Sequence, residues 1–234
     1  MAREAVKRRS TSTRSRRRGA TGVGSSDVDR APGRGKYDRS RTPDERQKDQ
    51  LRRLLDAAAH VFAEKGWAEA TVETIVTRAG MSRRTFYEHF DDLKDCLLQL
   101  HDRVAKGAVR AVEMQVQGVE DPRELLRLGV TGFLGGIAAF PHIARVVFRV
   151  VREAGPEFEP MHEKMMGRFA RLLHDGVALA YEQGRVKEKP DELRVFALCS
   201  AMEAVAMRCV MRGEEAKALE AAPILIDMVT KVFS

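Results

Sequence analysis

The 234-residue chain contains only three cysteines, Cys96, Cys199 and Cys209. Three cysteines cannot form a framework of paired disulfides, and their spacing matches no common metal-binding pattern. Cys199 and Cys209 lie on one predicted helix at a separation of roughly 15 Å, which is too far for a disulfide within that helix. We therefore expect buried structural thiols in a reducing cytoplasm, with a redox contact across a dimer as the alternative. We also expect no metal ion and no cofactor.

Long apolar runs are missing as well. No run approaches the roughly 18 residues of a membrane-spanning helix, and the basic N-terminus lacks the apolar stretch of a secretory signal. No segment sustains the alternation of apolar and polar residues that marks a strand. These absences predict an all-α protein of the cytoplasm with no membrane partner.

Residue patterns typical of enzymes are also absent. The sequence shows no nucleophile–base arrangement, no paired carboxylates in an apolar context and no metal constellation. Gly19, Gly22 and Gly24 do not form a phosphate-binding loop, because no strand precedes them and no Gly-Lys-Ser/Thr follows. We therefore expect no enzymatic activity.

What the chain does have is positive charge concentrated at its start. Residues 1–46 hold 14 lysines and arginines against 6 acidic residues, whereas the remaining residues hold 27 against 28. Residues 1–41 also have few apolar side chains to offset the entropy of folding, so we predict a disordered basic tail. Such a tail suits a polyanion-binding arm, a solubilising segment or, less readily, a nuclear localisation signal.

Helix signals begin directly after this tail. Thr42 is a predicted N-cap, Pro43 suits the first helical position, and Glu45 completes a capping box. Apolar residues then recur at helical spacing until Gly66, a typical helix stop. The pattern predicts a first helix over residues 43–65.

Two short predicted helices follow the first. Thr71 caps one of them, Gly80 permits a tight turn, and Ser82 caps the next, which runs from Arg83 to about His89. Two short helices joined by a glycine-containing turn are typical of a helix-turn-helix, whose second helix enters the major groove of DNA.

The rest of the chain shows helical patterns to its end. Proline and glycine divide it into helices over about 93–117, from 121, 141–155, 157–183, 191–212 and 214–233, with a break expected at Pro223. We predict three parts: a disordered basic tail over 1–41, a helix-turn-helix DNA-binding domain over 42–92, and a larger helical ligand-binding and dimerisation domain over 93–234.

Three blocks of sequence, in this order and at this spacing, are specific for a known family of proteins. They are Val61-Phe62 before Lys65-Gly66-Trp67, then Ala79-Gly80-Met81-Ser82, then Thr85-Phe86-Tyr87-Glu88-His89-Phe90. Together, over residues 48–105, they resemble the TetR family of bacterial transcriptional regulators. The resemblance implies a homodimer that binds a double-stranded DNA operator in the nucleoid. It further implies a repressor that a small, largely apolar effector, still unidentified, releases from DNA.

The resemblance also implies roles for individual residues in DNA binding. Thr71, at a helix N-terminus, would bond a phosphate. The residues that would open the recognition helix and reach base edges are Ser82, Arg83, Arg84 and Thr85. Tyr87 and His89 would contact the DNA backbone, although a half-buried packing role is an equal alternative for Tyr87.

Lys94 departs from the family pattern. The family often has a lysine or arginine aimed at a phosphate where this chain has Leu93, and Lys94 follows one residue later. On a helix this shift turns the side chain by about 100°. Lys94 is therefore a candidate phosphate ligand, with a solvated surface lysine as the alternative.

The predicted sensor domain offers two groups of candidate residues. By resemblance, a ligand pocket lies among the middle helices, and its candidate walls are Met114, Phe133, Ile137, Phe140, Phe148, Met165, Met166 and Phe169, each of which also suits an ordinary core. The last two long helices would form the dimer interface, with candidates Phe196, Ala197, Ser200, Ala201, Ala204, Met228 and Val229. An intramolecular core would produce the same small apolar stripe.

The predicted DNA-binding domain needs positive charge from outside itself. Residues 47–96 carry eight lysines and arginines against nine acidic residues, although phosphate neutralisation normally supplies much of the affinity for DNA. The adjoining arm, which includes Arg39 and Arg41, is the obvious source, and we predict that it crosses the backbone or enters the neighbouring minor groove. An architectural protein that coats DNA through this tail is the alternative function, but the specific groove-reading block argues against it.

Deleting residues 1–40 is expected to weaken DNA binding and to flatten its dependence on salt, because fewer counterions are then released from DNA. The measurement is the dissociation constant of the full chain and the truncated chain across a salt series. An unchanged slope would contradict the assignment of the arm to DNA.

Overall fold

The computed structural model describes residues 42–232, apart from the side chains of Val229 and Val232. Within that range it contains helices and turns and no strand, which confirms the all-α prediction. The predicted arm, including Arg39 and Arg41, lies outside the described residues. The bounds of the three predicted parts of the chain remain predictions.

Ten α-helices and three tighter or wider helical turns follow one another along the described chain. The α-helices are α1 (Pro43–Glu69), α2 (Val72–Ala79), α3 (Arg83–Tyr87), α4 (Leu93–Val116), α5 (Pro122–Ala139), α6 (Pro141–Arg145), α7 (Val151–Ala154), α8 (Glu159–Glu182), α9 (Glu192–Arg212) and α10 (Ala222–Val232). A π-helical turn (Val146–Val150) joins α6 to α7, and 3₁₀ turns (Pro156–Phe158 and Glu215–Ala221) precede α8 and α10.

The beginning of α1 shows why the helix starts where the sequence predicts. The Thr42 hydroxyl accepts a hydrogen bond from the Glu45 backbone N–H at 3.2 Å, and the Thr42 N–H donates to the Glu45 carboxylate at 2.8 Å. This reciprocal capping box satisfies two backbone donors that an isolated helix leaves open. Pro43 occupies the first turn, where its missing N–H is not needed.

The structure corrects two helix ends. Gly66 adopts a φ of 74° and a ψ of −178°, a conformation that essentially only glycine tolerates, yet α1 resumes beyond it and ends at Glu69. Pro223 was expected to break the last helix but lies in the first turn of α10, where proline is tolerated because no helical hydrogen bond is lost.

The break at Gly66 exposes two backbone groups that side chains of a later helix take up. In an unbroken helix the Ala63 carbonyl would accept from the Trp67 N–H. Here the Arg149 Nη2 donates to the Ala63 carbonyl at 2.9 Å, and the Trp67 N–H donates to the Glu153 carboxylate at 3.2 Å. Arg149 and Glu153 also lie 3.4 Å apart as an ion pair. We call these two residues the Arg149–Glu153 clamp.

A shared hydrophobic core joins the first three helices to the segment that carries this clamp. Leu54, Phe62 and Phe86 from α1 and α3 lie in one buried cluster with Val146 and Val150 of the π-helical turn. The wider turn of a π-helix is common at functional positions, and here it places Arg149 against the end of α1. α1 is therefore fixed to the later helices by packing and by hydrogen bonds.

The remaining helices form a second layer with its own core. Val130, Leu134 and Ile137 of α5 pack with Val210 of α9 and Leu225 of α10. An ion pair between Arg145 and Glu215 at 2.8 Å links α6 to the 3₁₀ turn before α10.

No single helix in residues 42–232 is long and apolar enough to cross a membrane. Only α5 taken together with the segment Pro141–Ala154 reaches that length and composition, and the two are bent by 98°.

Replacing Arg149 with leucine is expected to lower the free energy of unfolding by about 1–3 kcal/mol, because the Ala63 carbonyl is left without its partner. Urea denaturation of the variant and the wild type measures this loss. Arg110→Leu, an exposed position on α4, is the matched control and should change stability by less than about 0.5 kcal/mol. Equal effects of the two substitutions would show that the clamp adds no stability.

Candidate nucleic-acid interface and ligand cavity

The α2–turn–α3 unit has the geometry of a helix-turn-helix. Gly80 closes α2 in the left-handed conformation, with a φ of 64° and a ψ of 41°, and the following Met81 N–H donates to the Val76 carbonyl at 2.9 Å. The Ser82 hydroxyl then accepts from the Thr85 N–H at 3.1 Å and begins α3. Glycine permits this turn because it has no side chain to clash at positive φ.

Aromatic packing holds α3 in place from its inner side. Phe86 and Phe90 are buried with their ring centroids 4.9 Å apart, and Tyr87 meets Phe86 edge-on at 5.5 Å while remaining half-exposed. On α1, Arg53 donates to the Ala79 carbonyl at 2.8 Å and so fastens the end of α2. The inner face of α3 is therefore rigid, and its outer face is available to a partner.

Seven of the residues predicted to contact DNA, namely Thr71, Ser82, Arg83, Arg84, Thr85, Tyr87 and His89, lie on this unit or directly beside it, most of them at its surface. Arg83, Arg84 and Tyr87 are exposed on α3, and the Arg84 Nε donates to Glu88 at 3.0 Å. Thr71 is exposed at the start of α2, where its hydroxyl accepts from the Thr74 N–H at 3.2 Å. His89 is half-buried, and its Nε2 has no hydrogen-bond partner among the described residues.

The side chains of Ser82 and Thr85 contact each other, and both keep some surface accessible to DNA. Their hydroxyl oxygens lie 3.0 Å apart, so each contributes to the cap at the start of α3. DNA contacts by these residues stay a prediction.

Lys94 has an intramolecular partner. Its ammonium lies 3.3 Å from the Glu157 carboxylate and 5.5 Å from the centroid of the Phe158 ring. A phosphate contact would have to compete with this ion pair and cation–π contact. The structure therefore offers a third role for Lys94, in which it holds the start of α4 against the 3₁₀ turn that precedes α8.

A cavity of about 530 Å³ lies between the C-terminal half of α4 and helices α5, α8 and α9. Its volume lies within the range of small-molecule sites. Apolar side chains make up most of its wall: Val112, Val116, Val119, Leu125, Leu126, Val130, Phe133, Phe169, Leu172, Leu173, Val177, Leu179, Val186, Leu198 and Met202. Cys199 also lines the wall, and burial raises the pKa of its thiol to about 11, so the thiol is neutral near pH 7.

Two of the eight predicted pocket residues, Phe133 and Phe169, line this cavity. Three others, Ile137, Phe148 and Met165, are buried in the neighbouring core, and Met166 packs partly buried against it. Met114 and Phe140 are exposed at the surface. The predicted pocket residues therefore do not all share one wall.

The cavity lining also includes polar side chains. Glu120, Asp175, Gln183 and Arg185 lie in its lining. Arg185 donates to the Glu120 backbone carbonyl, and its second nitrogen lies 3.1 Å from the Glu120 carboxylate. The sequence pattern did not single out Glu120 or Arg185. Their only signal is that each lies beside a glycine turn, at Gly118 and Gly184, which follow α4 and α8.

Edge-on aromatic contacts continue from the cavity wall toward the π-helical turn. Phe133 meets Phe169 at 5.5 Å and Phe148 at 6.4 Å, and Phe148 meets His162 at 6.0 Å. His162 hydrogen-bonds the Glu203 carboxylate at 2.7 Å, which together with Arg152 holds the pKa of Glu203 below its usual range. The cavity wall is thus packed against the same turn that carries Arg149.

The predicted dimer residues divide between surface and interior. Phe196 is 64% exposed, and Ala197, Ala204 and Met228 are exposed as well, whereas Ser200 and Ala201 are half-buried. Val229 lies in α10, and its side chain is not among those that the structure describes. By helical spacing, the exposed members on α9 lie on one face with Leu193 and Met211, and Met228 lies on one face of α10 with Ile224. The sequence pattern did not single out Leu193, Met211 or Ile224. We call these two exposed helix faces the α9–α10 apolar strip.

Residues 54–100 match the family model of the bacterial regulatory proteins of the tetR family. Over these residues the chain is similar to the TetR family. It is 25% identical over 159 residues to the HTH-type transcriptional regulator EthR of Mycolicibacterium smegmatis, covering 68% of this chain and 71% of the relative. It is 22% identical over 138 residues to the fatty acid metabolism regulator protein of Bacillus subtilis, covering 59% and 71%.

Solved structures of transcriptional regulators share the fold of this chain. The transcriptional regulator FadR of Bacillus subtilis, crystallised in complex with stearoyl-CoA, superposes with a TM-score of 0.68 at 18% identity, over 76% of this chain and 96% of that one. The relatives named above are regulators of transcription, and this chain is a DNA-binding transcriptional regulator as well.

Arg83→Ala is expected to weaken binding to a duplex selected from random sequence by about 1–3 kcal/mol and to relax the preference at one base pair. Fluorescence anisotropy on the selected duplex and its single-base variants measures both effects. Arg123→Ala, exposed at the start of α5, is the control. A loss that is uniform over all sequences would instead assign Arg83 to a phosphate.

Proposed function

We propose that this protein is a dimeric repressor that leaves its operator when an amphipathic small molecule enters the cavity among α4, α5, α8 and α9. The observation that carries the proposal is the single helix α4, which begins directly after the helix-turn-helix and ends in the cavity wall. A ligand that fits better when two recognition helices are misaligned would lower DNA affinity by its differential binding energy. The proposal places the protein with the nucleoid in the cytoplasm and gives it no enzymatic role.

The chemistry of the cavity favours a ligand with an apolar chain and an anionic head. The wall is mostly apolar, and its lining includes Arg185, whose guanidinium can form two parallel hydrogen bonds with a carboxylate or a phosphate. At present Arg185 is occupied by Glu120, so an anionic head would exchange with that carboxylate. The fatty acid regulator of Bacillus subtilis and the stearoyl-CoA complex of FadR support an acyl compound as the ligand.

The α9–α10 apolar strip supports the homodimer. Leu193 is 72% exposed and Phe196 is 64% exposed on α9, and Ile224 is 67% exposed on α10. Large apolar side chains grouped on one surface mark an interface rather than a solvated face. A two-fold dimer would also place two recognition helices about one DNA turn apart, which suits paired half-sites.

Filling the cavity with a side chain should weaken the release of DNA by the ligand without changing the affinity for DNA in its absence. Gly129 lies in the cavity wall on α5, and a side chain there would enter open space. In Gly129→Leu, release from the selected duplex by stearate or stearoyl-CoA is expected to need at least about tenfold more ligand, because the added side chain occupies the space of the acyl chain. Anisotropy of labelled duplex during ligand titration measures the release.

Two controls isolate the cavity and its polar side. Gly107→Leu, exposed on α4 and also facing open space, should respond to ligand as the wild type does. Arg185→Gln should weaken release by the anionic ligands, whereas Lys187→Gln in the same loop should not. Wild-type protein that binds neither stearate nor stearoyl-CoA would refute the acyl assignment, and unaltered release in Gly129→Leu would refute the site.

A further inference from the structure

Two histidine rings stack where the DNA-binding helices meet the rest of the protein. His60 belongs to α1 and His142 to α6, and their ring centroids lie 4.2 Å apart with an interplanar angle of 8°. Both side chains are half-buried. This contact adds to the Arg149–Glu153 clamp in holding α1, and the proposed ligand cavity does not include it.

The charged groups that face the two rings come from four helices. They are Asp56 and Glu64 on α1, Arg78 on α2, Arg103 on α4 and Arg145 on α6.

Each of the two facing carboxylates already has an arginine partner. Asp56 lies 3.3 Å from Arg52, and Glu64 lies 2.6 Å from Arg78. On α6, Arg145 is neutralised in turn by Glu215 at 2.8 Å. The surroundings therefore supply little unpaired negative charge that would hold a proton on both rings at once.

Proton binding to the stack is unfavourable for two reasons. Burial and the neighbouring His60 both lower the pKa of His142 below its ordinary value of 6.5. A neutral ring stacks on a neutral or a singly protonated partner, but two imidazolium rings at this distance repel one another. The stack is therefore compatible with at most one proton.

The rings have room to separate. A second cavity of about 330 Å³ lies beside them, with walls from α1, α4 and α6 that include Leu55, Leu100 and Ile143 as well as both histidines. A change in ring contact can thus be accommodated at the junction without unfolding the cores on either side.

We propose that the His60–His142 stack is a pH-sensitive contact that fastens α1 to α6 near neutral pH and releases it on acidification. The direction follows from linkage. Since the folded state binds protons at His142 less readily than the unfolded state does, stability is complete above the ordinary histidine pKa and falls as the pH drops below it.

The only tryptophan of the chain, Trp67, reports on this junction. It lies two turns after His60, packs against Phe62 and Phe158, and donates to Glu153. In wild-type protein without DNA, we expect its emission to shift to longer wavelength between pH 7.5 and pH 5.5, while helicity measured by circular dichroism stays constant.

Substitutions test whether the shift in Trp67 emission arises from the His60–His142 stack. The double variant His60→Gln with His142→Gln should lose most of the shift, whereas His174→Gln, on the distant helix α8, should retain it. If the double variant fails to fold, His60→Gln alone tests the same point by nuclear magnetic resonance, since removing the neighbouring ring should raise the pKa of His142. A wild-type shift that persists in the double variant, or a His142 pKa unchanged in His60→Gln, would overturn the proposal.

Discussion

The exchange of hydrogen-bond partners at the end of α1 is the interaction on which the remaining arrangement depends. Gly66 interrupts the helix, and the Ala63 carbonyl and the Trp67 N–H turn from each other to Arg149 and Glu153. Buried backbone groups are nearly always paired, so the later segment stabilises the break by supplying these partners. One ion pair thus satisfies the interrupted helix and fixes its position.

The π-helical turn connects this constraint to the ligand cavity. Phe148 and Arg149 are adjacent in the turn, and they point to different neighbours: Phe148 packs against Phe133 in the cavity wall, and Arg149 holds Ala63 of α1. Tightly packed interiors respond to a change of shape by discrete rearrangement rather than by smooth deformation. A ligand that repositions Phe133 therefore acts on the segment that clamps α1.

The DNA-binding unit was predictable from the sequence because its signals are local. Thr42, Ser82 and Gly80 determine helix ends through bonds to residues a few positions away, and the structure places each of them as the sequence indicates. The cavity was not predictable in this way. Its walls come from four helices, and whether an apolar residue such as Met114 lies inside or outside depends on how those helices pack, which periodicity does not specify.

Helix α9 faces two environments along its length. Leu198, Cys199 and Met202 look into the cavity, while Leu193, Phe196 and Met211 lie on the apolar strip. The two faces are separated by no more than the thickness of one helix, about 10 Å. Substitutions meant to change which molecule the cavity accepts are therefore better placed on α5 and α8, because a bulkier side chain on α9 would also disturb the apolar strip proposed as the dimer interface. Since α9 contributes to both proposed surfaces, one substitution in it alters both.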